Sequence, residues 1–227
     1  MTRLYLLFDS DGTLVDSEWL CNRALALLFA RYDVQLNVAE LMRDYRGGEL
    51  QRIFNQLAAT HNVILGSDSE AWYRAKVAEL FAQQLQPVTG IPELLAWVQQ
   101  QGWPCAVVSN GPQSKLQQAL SHCQLLPFFN DHIYSAYDID TFKPDPGLYL
   151  HAAVQLGARP EQCVVIEDSL PGVKAGIAAG MTTLFYNPHH EPSPAGQVIE
   201  FTNMTQLPAI LEHLVKNNIR GVLTFAD

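Results

Sequence analysis

The sequence has few basic residues for its length. Its 227 residues contain 14 Lys and Arg against 23 Asp and Glu, which gives a net charge of −9 at pH 7. A surface that neutralises nucleic-acid phosphates or anionic lipid needs an excess of positive charge, so we expect neither nucleic acid nor a membrane as a partner. A small anionic ligand is compatible with this balance, because a local cation or metal reverses the local field.

Long apolar runs and closely paired cysteines are also missing. No window approaches the ~18–20 consecutive apolar residues of a membrane span. The short apolar run at 4–8 has neither the length nor the cleavage site of a secretion signal. The four cysteines (Cys21, Cys105, Cys123 and Cys163) lack the close spacing of a zinc site or a disulfide framework. We therefore expect a soluble, monomeric protein of a reducing compartment, the cytoplasm.

Apolar residues make up 48% of the chain, enough to bury a full core. Short apolar runs that end in polar residues recur along the sequence, which is typical of buried parallel strands. Five such runs lie at 4–8, at 105–108, around 133, at 163–166 and at 183–186. Helical patterns separate them. This alternation predicts an α/β fold with a doubly wound parallel sheet.

The first two predicted strands are separated by about 95 residues, far more than the dozen or so of an ordinary crossover. Residues 17–86 carry apolar stripes at helical spacing, the first formed by Leu20, Ala24, Leu27 and Leu28. No strand-like run interrupts them. We predict an α/β core of residues 1–16 and 87–227, with a helical-bundle cap domain of residues 17–86 inserted after the first strand.

Two carboxylates follow the first predicted strand, Asp9 and Asp11, in a segment that continues with Gly12 and Thr13. An Asp-Gly turn explains Gly12. It does not explain a second carboxylate beside the first, which costs like-charge repulsion unless a cation is present. The carboxyl ends of strands in open α/β sheets are where ligands bind. The segment therefore indicates a cation-dependent site.

Polar groups also follow the later strands. Ser109 and Asn110 end the second strand, where a hydroxyl and free backbone N–H groups suit an oxyanion, although the same residues are ordinary turn formers. Lys143, one of five lysines, lies in a rigid segment before two prolines. Glu167 and Asp168 end the strand at 163–166. Acids at two strand ends favour a hard cation such as Mg²⁺, which takes oxygen ligands.

These four segments, in this order and spacing, resemble the haloacid dehalogenase superfamily of phosphotransferases. The resemblance covers essentially the whole chain, and the helical insertion is similar to the superfamily's C1-type cap. It implies that Asp9 is a nucleophile that forms an aspartyl phosphate. It also implies that Asp11 acts as general acid and then as general base. An acid that works near neutral pH needs a raised pKa, which we expect neighbouring carboxylates to provide.

The same resemblance implies the binding roles. Ser109 and the backbone of Asn110 would hold the transferring phosphoryl group, and Lys143 would neutralise its charge. The implied cofactor is Mg²⁺, which is expected to bind at Asp168, helped by Glu167, together with the Asp9 carboxylate and the Asp11 carbonyl. This chemistry needs positioning and charge neutralisation more than covalent participation.

The resemblance to bacterial sugar-phosphate phosphatases implies the hydrolysis of a small phosphorylated metabolite, such as a sugar phosphate or the sugar-acid phosphate 6-phosphogluconate. A beta-phosphoglucomutase-like isomerase is an alternative, in which Arg43 and Arg46 would supply a second phosphate site. A catalytically inactive binding protein is less favoured, because the whole set of expected site residues is present. In the cap, Gly47 beside Arg46 would let the backbone approach a ligand whose carboxylate Arg46 would bind.

Overall fold

The protein folds around one parallel sheet. Its structure is a computed structural model that describes residues 3–129, 131–194 and 196–217. Within these residues the sheet has six strands in the order β3-β2-β1-β4-β5-β6, and every neighbouring pair is parallel. The strands are β1 (Tyr5–Phe8), β2 (Cys105–Ser109), β3 (Ile133–Ser135), β4 (Cys163–Glu167), β5 (Thr182–Tyr186) and β6 (Ile199–Phe201).

Ten α-helices surround the sheet in the described residues. Five of them lie between β1 and β2, and the others alternate with or follow the later strands. The helices are α1 (Glu18–Ala30), α2 (Val38–Tyr45), α3 (Leu50–His61), α4 (Ser69–Gln84), α5 (Ile91–Gln100), α6 (Gln113–His122), α7 (Ala136–Ile139), α8 (Gly147–Gln155), α9 (Leu170–Ala178) and α10 (Leu207–Lys216). None of the helices in these ranges has the length and apolarity that a membrane span needs.

Strand β1 is buried at the centre of the sheet, as its uninterrupted apolar sequence predicts. Phe8 lies opposite Val107 of β2 and Ile166 of β4, so these three strands end side by side. The side chains of β1 alternate between two apolar layers. Leu6 contributes to the core shared with α5, α6 and α10, and Leu7 to the core shared with α8 and α9. The predicted doubly wound α/β fold is confirmed.

Helices α1 to α4 form a separate bundle, called the cap below, and the rest of the described chain is called the core. The cap has its own apolar cluster, with Leu28, Phe29 and Phe54 among its buried residues. The expectation that Leu27 belongs to the buried stripe is wrong. This side chain is 39% exposed, because the inward face of α1 carries Ala24, Leu25, Leu28 and Phe29.

The chain leaves and re-enters the core through one short junction. Val15 forms an isolated antiparallel bridge with Pro87, and the Asp16 N–H donates to the Gln86 carbonyl over 2.9 Å. This junction lies beside the predicted limits of the cap. Strand β6 was not predicted, because it is only three residues long and its central Glu200 is exposed.

Candidate active site

A tight turn after β1 places two aspartates at the carboxyl edge of the sheet. The Asp9 N–H donates to the Ile166 carbonyl of β4 over 3.0 Å, which continues the strand pairing by one residue. Gly12 then turns the chain with φ of +78°. A Cβ atom at Gly12 would lie 2.2 Å from Asp168 Oδ2, so only glycine fits both the backbone conformation and the close approach. Asp9 is only 7% exposed.

Lys143 connects the ends of three strands through its ammonium group. Its Nζ donates to Asp9 Oδ1 over 2.6 Å, to Glu167 Oε1 over 2.6 Å and to the Val108 carbonyl over 2.8 Å. It also lies 4.8 Å from the centre of the Tyr149 ring. Burial by itself would lower the pKa of Lys143, but the charges of Asp9 and Glu167 raise it well above the ordinary value. The side chain is therefore a buried cation that is charged at neutral pH.

Three buried carboxylates form an oxygen cluster behind this lysine. One oxygen each from Asp9, Glu167 and Asp168 lies within 4.8 Å of the other two. Burial, together with the charges of Glu167 and Asp11, raises the pKa of Asp9 to about 7 despite Lys143. Burial and neighbouring carboxylates raise the pKa of Asp168 well above its ordinary value. A cluster of oxygen donors in which Asp9 and Asp168 resist ionisation fits a hard divalent cation such as Mg²⁺.

Glu167 is also an anchor for its neighbours. Its Oε1 accepts from Lys143 and from the Tyr149 hydroxyl, the latter over 3.2 Å. Its Oε2 accepts from the backbone and hydroxyl of Ser169 over 3.0 and 2.9 Å. These contacts fix the Lys143 ammonium and the start of α9. Glu167 therefore lies in the cluster as well as orienting the lysine that faces Asp9.

Asp11 pairs with a lysine that comes from a different helix. Lys115 Nζ, from α6, donates to Asp11 Oδ2 over 2.6 Å, and the Ser17 hydroxyl donates to Oδ1. Burial by itself would raise the pKa of Asp11, but the charge and hydrogen bond of Lys115 lower it, helped by Ser17. The expectation of a raised pKa is wrong for this arrangement, because the nearest charge is a cation and not another carboxylate.

The residues after β2 hold the lysine segment in place. The Asn110 side chain accepts from the Lys143 N–H over 2.9 Å and donates to the Lys143 carbonyl over 3.3 Å. Its amide also donates to the Gly47 carbonyl of the cap over 3.4 Å. Ser109 is 2% exposed, and its hydroxyl accepts from the Gly111 N–H over 3.1 Å. The structure thus brings both residues to the cavity that contains Asp9.

A cavity of ≈130 Å³ opens between these residues and the cap. The core contributes polar and charged side chains around Asp9. The cap contributes Glu18, Tyr73 and Arg74, among others, and the backbone at Gly47. Gly47 has φ of +68°, and a Cβ atom there would lie 2.6 Å from Ser169, so glycine is required for this close approach of cap to core. Among the described residues, the core side of the lining is Asp9, Asp11, Ser109, Asn110, Gly111, Pro112, Lys115, Tyr137, Lys143 and Ser169.

Arg46 does not occupy the position expected from the sequence. It is absent from the cavity lining within the described residues, and its side chain is 12% exposed. Its Nη1 lies 3.2 Å from Glu191 Oε1 and its Nε lies 3.7 Å from Glu18 Oε2. The guanidinium therefore pairs with two carboxylates of the protein itself. Arg43, by contrast, is exposed and pairs with its neighbour Asp44 over 2.7 Å.

Sequence reasoning missed the cap arginine that does line the cavity, Arg74 on α4. Its Nη2 lies 3.4 Å from the Tyr137 hydroxyl of the core and its guanidinium lies 5.5 Å from that ring. Arg74 also pairs with Glu70 over 2.6 Å. The sequence offers one indication that Arg74 lies near an interface. Arg74 directly follows Tyr73, which begins the apolar stripe of α4 that continues with Val77 and Leu80. A residue at the margin of such a stripe lies at the edge of the helix interface.

Comparison with known proteins gives the family. Residues 6–186 match the family described as haloacid dehalogenase-like hydrolase. The chain belongs to this family. It is 37% identical to the 6-phosphogluconate phosphatase of Escherichia coli K12 over 206 residues, covering 89% of this chain and 92% of the relative. It is 30% identical to the fructose-1-phosphate phosphatase of the same organism over 180 residues, covering 78% and 92%.

A solved structure from the same family matches along the full length. The hydrolase of Deinococcus radiodurans R1, determined with bound phosphate and sodium, has a TM-score of 0.74 and 29% identity, and the alignment covers 99% of both chains. The predicted superfamily is therefore confirmed, as is the prediction that the chain is a hydrolase of phosphate monoesters.

Proposed function

We propose that this protein is a Mg²⁺-dependent phosphatase that hydrolyses a sugar or sugar-acid phosphate, such as 6-phosphogluconate. The observation that carries the proposal is the pair Asp9 and Asp11, which are separated by one residue and each face a different lysine at the cavity. Lys143 contacts Asp9 and Lys115 contacts Asp11, both over 2.6 Å. The named phosphatases among its relatives support the same reaction.

In this proposal Asp9 is the nucleophile. Lys143 holds Oδ1, whereas Oδ2 accepts no hydrogen bond from the described residues and is available to attack phosphorus. The attack forms an Asp9–phosphate bond as the bond between phosphorus and the substrate oxygen breaks. Water then hydrolyses the aspartyl phosphate and restores the carboxylate. The Lys143 ammonium reduces the repulsion between this carboxylate and a dianionic phosphate.

Asp11 is proposed to give its proton to the departing substrate oxygen and later to take one from the attacking water. In the structure Lys115 keeps its pKa low, so Asp11 needs a change of environment to act as an acid. The substrate phosphate competes with Asp11 for Lys115. Without the Lys115 contact, and with a dianion nearby, the pKa of Asp11 rises. Asp11 can then hold a proton and donate it to the departing substrate oxygen.

Ser109 and the backbone of Asn110 are proposed to bind the non-reacting phosphate oxygens, with Lys143 beside them. The residues that would hold Mg²⁺ are Asp9, Asp168 and the Asp11 carbonyl, with Glu167 in the same cluster. Bound there, the ion would neutralise phosphate charge and act as a Lewis acid. The chain's own contribution is to keep these oxygens fixed before the substrate arrives, through contacts such as that from Thr13 to Asp168 over 3.0 Å.

The cap residues favour a substrate with a second anionic group. In the described residues the hydrogen bonds of Arg74 use Nε and Nη2, so Nη1 has no protein acceptor. A sugar acid would present its carboxylate to this group and its hydroxyls to Glu18, which also lines the cavity. The mutase alternative needs a second phosphate site, which neither Arg43 nor Arg46 supplies at the cavity in the described residues, although Arg74 would suit a second phosphate as well as a carboxylate.

The test is a phosphate-release screen over sugar phosphates, sugar-acid phosphates, phosphoglycolate and nucleoside monophosphates, with and without Mg²⁺. We expect release that depends on Mg²⁺ and is fastest with a sugar-acid phosphate. The Arg74→Gln variant should lose the preference for the acid over the matching neutral sugar phosphate. Conversion of glucose 1-phosphate into glucose 6-phosphate without phosphate release would refute the phosphatase proposal and favour the mutase. The cytoplasmic location and the monomeric state stay predictions. Gel filtration checks the monomeric state.

A further inference from the structure

We propose that Arg46 is a positioning residue that fastens the cap to the core through Glu191, and thereby holds Gly47 over the phosphate-binding residues. Of the ion pairs among the described residues, Arg46–Glu191 is the one that joins a cap side chain to a core side chain. The effect on catalysis rests on the proposed phosphatase function, whereas the effect on the cap does not.

Arg46 directly precedes Gly47, whose backbone closely approaches the core at Ser169. Arg46 itself directly follows α2, as the residue that ends the helix. Its contact with Glu191 over 3.2 Å is part-buried, with side-chain exposures of 12% and 28%. On its other side it faces Glu18 of the cap, and both the Arg46 Nε and the Glu18 Oε2 lack a hydrogen-bond partner among the described residues. The guanidinium therefore sits between one carboxylate from each part of the molecule.

The core partner of this contact is held firmly. Glu191 belongs to the loop after β5, where its N–H donates to Asn187 Oδ1 over 2.8 Å and its carbonyl accepts from Asn187 Nδ2 over 2.9 Å. Asn187 is itself 3% exposed, and its backbone N–H donates to the Phe201 carbonyl of β6 over 2.8 Å. Because the loop is tied to the sheet, an ion pair with Glu191 fixes the cap relative to the sheet.

The residue after Arg46 touches the catalytic centre. The Gly47 carbonyl accepts from the Asn110 amide over 3.4 Å, and the Gly47 Cα lies close against Ser169. Asn110 in turn holds both backbone groups of Lys143. A displacement of Arg46 therefore moves a segment that covers the phosphate-binding residues. This position, and the absence of Arg46 from the cavity lining of the described residues, argues for positioning and against direct contact with a substrate carboxylate.

The kinetic test uses four variants: Arg46→Gln, Glu191→Gln, the double variant and the conservative Arg46→Lys. The substrates are p-nitrophenyl phosphate, which has no second anion, and 6-phosphogluconate. We expect Arg46→Gln to lower kcat/KM by about 10- to 100-fold for both substrates, between the effects of breaking an exposed and a fully buried ion pair. Arg46→Lys should recover most of this loss. The double variant should be no worse than Arg46→Gln, because both changes break the same contact.

Arg43→Gln is the matched control, since Arg43 is an exposed cap arginine three residues earlier and should leave both rates unchanged. A loss confined to 6-phosphogluconate would overturn the proposal and return Arg46 to substrate binding. Unchanged rates, or a double variant whose loss is the product of the two single losses, would also overturn it.

Hydrogen exchange provides a second readout that does not depend on turnover. The Gly48 N–H donates to the Tyr45 carbonyl over 3.1 Å, and the Glu191 N–H is bound by Asn187. Peptides that cover these two amides should exchange faster in Arg46→Gln but not in Arg43→Gln, while peptides from β1 should be unchanged. Equal exchange in both variants would overturn the proposal. A wild-type protein without phosphatase activity would refute the proposed function alone, because the exchange result would still decide the role of Arg46.

Discussion

Replacing Lys143 by methionine tests how far the site depends on one buried cation. Methionine keeps most of the apolar stem and removes the ammonium, together with its contact with the Tyr149 ring. The change leaves the carboxylates of Asp9 and Glu167 without their hydrogen bonds of 2.6 Å to the ammonium. The Val108 carbonyl loses its hydrogen bond as well. With Lys143 6% exposed, water does not readily replace these contacts.

The magnitude follows from this burial. Removing one partner of a buried ion pair typically costs about 3–5 kcal/mol of the free energy of unfolding, because a charge is left buried and unpaired. The pKa of Lys143 is raised above its ordinary value, so its stabilising contribution is fully present at neutral pH and disappears only as the pH rises through the folded-state pKa. The pKa of Asp9 is about 7 even with the lysine present. Without the lysine the pKa of Asp9 should rise further, so the cost should grow as the pH rises above about 7 and stay nearly constant below it.

The assay is urea denaturation of wild type and Lys143→Met in a chelator at pH 5, 6, 7 and 8, followed by circular dichroism. We expect the largest difference in unfolding free energy at pH 8 and a smaller one at pH 5. Lys174→Met is the control, because Lys174 is exposed on α9 and should change stability by less than about 0.5 kcal/mol. A cost equal to that of the control, or one that is constant with pH, would refute the reasoning.

Three further predictions concern the metal and individual carboxylates. Chelation should abolish phosphate release and added Mg²⁺ should restore it; full turnover in a chelator would contradict the metal assignment. Asp9→Asn should lower kcat by several orders of magnitude, whereas Asp11→Asn should lower it about 10²–10⁴-fold and less with an aryl phosphate, whose leaving group needs less protonation. Burial raises the pKa of Glu18 from 4.5 to about 7, despite Arg46, so the wild type should lose stability as the pH rises through that range. Glu18→Gln, measured in chelator, should then be more stable than wild type by up to about 3 kcal/mol at pH 8 and by little at pH 4; a pH-independent difference would contradict this.

The parts of the site that sequence predicts well are those set by strand ends. Asp9, Ser109 and Glu167 each end a buried apolar run, and parallel strands place their carboxyl ends at one edge of the sheet. Lys143 required the resemblance to a family, because an exposed turn lysine is the ordinary interpretation of such a segment. Its contacts to Asp9 and Glu167 span 134 and 24 residues of sequence.

The parts that sequence did not predict depend on which side chains of different elements pair with one another. Arg46 has the residue type expected for carboxylate binding, but Glu18 and Glu191 are the carboxylates it faces. Glu191 is 145 positions away, in a loop without a regular pattern. The low pKa of Asp11 likewise comes from Lys115 on a separate helix. Periodicity describes one element at a time, so pairings between elements remain open until the fold is known.

The charges around the cavity explain why the proposed reaction needs a divalent cation. Four carboxylates, those of Asp9, Asp11, Glu167 and Asp168, face two ammonium groups, those of Lys115 and Lys143. If all four were ionised, the site would carry a surplus of two negative charges, and the raised pKa values of Asp9 and Asp168 reflect this repulsion together with burial. A phosphate dianion would add two more. A single Mg²⁺ bound there would bring the sum of these charges to zero before the phosphate arrives, so the dianion would no longer approach a site of net negative charge.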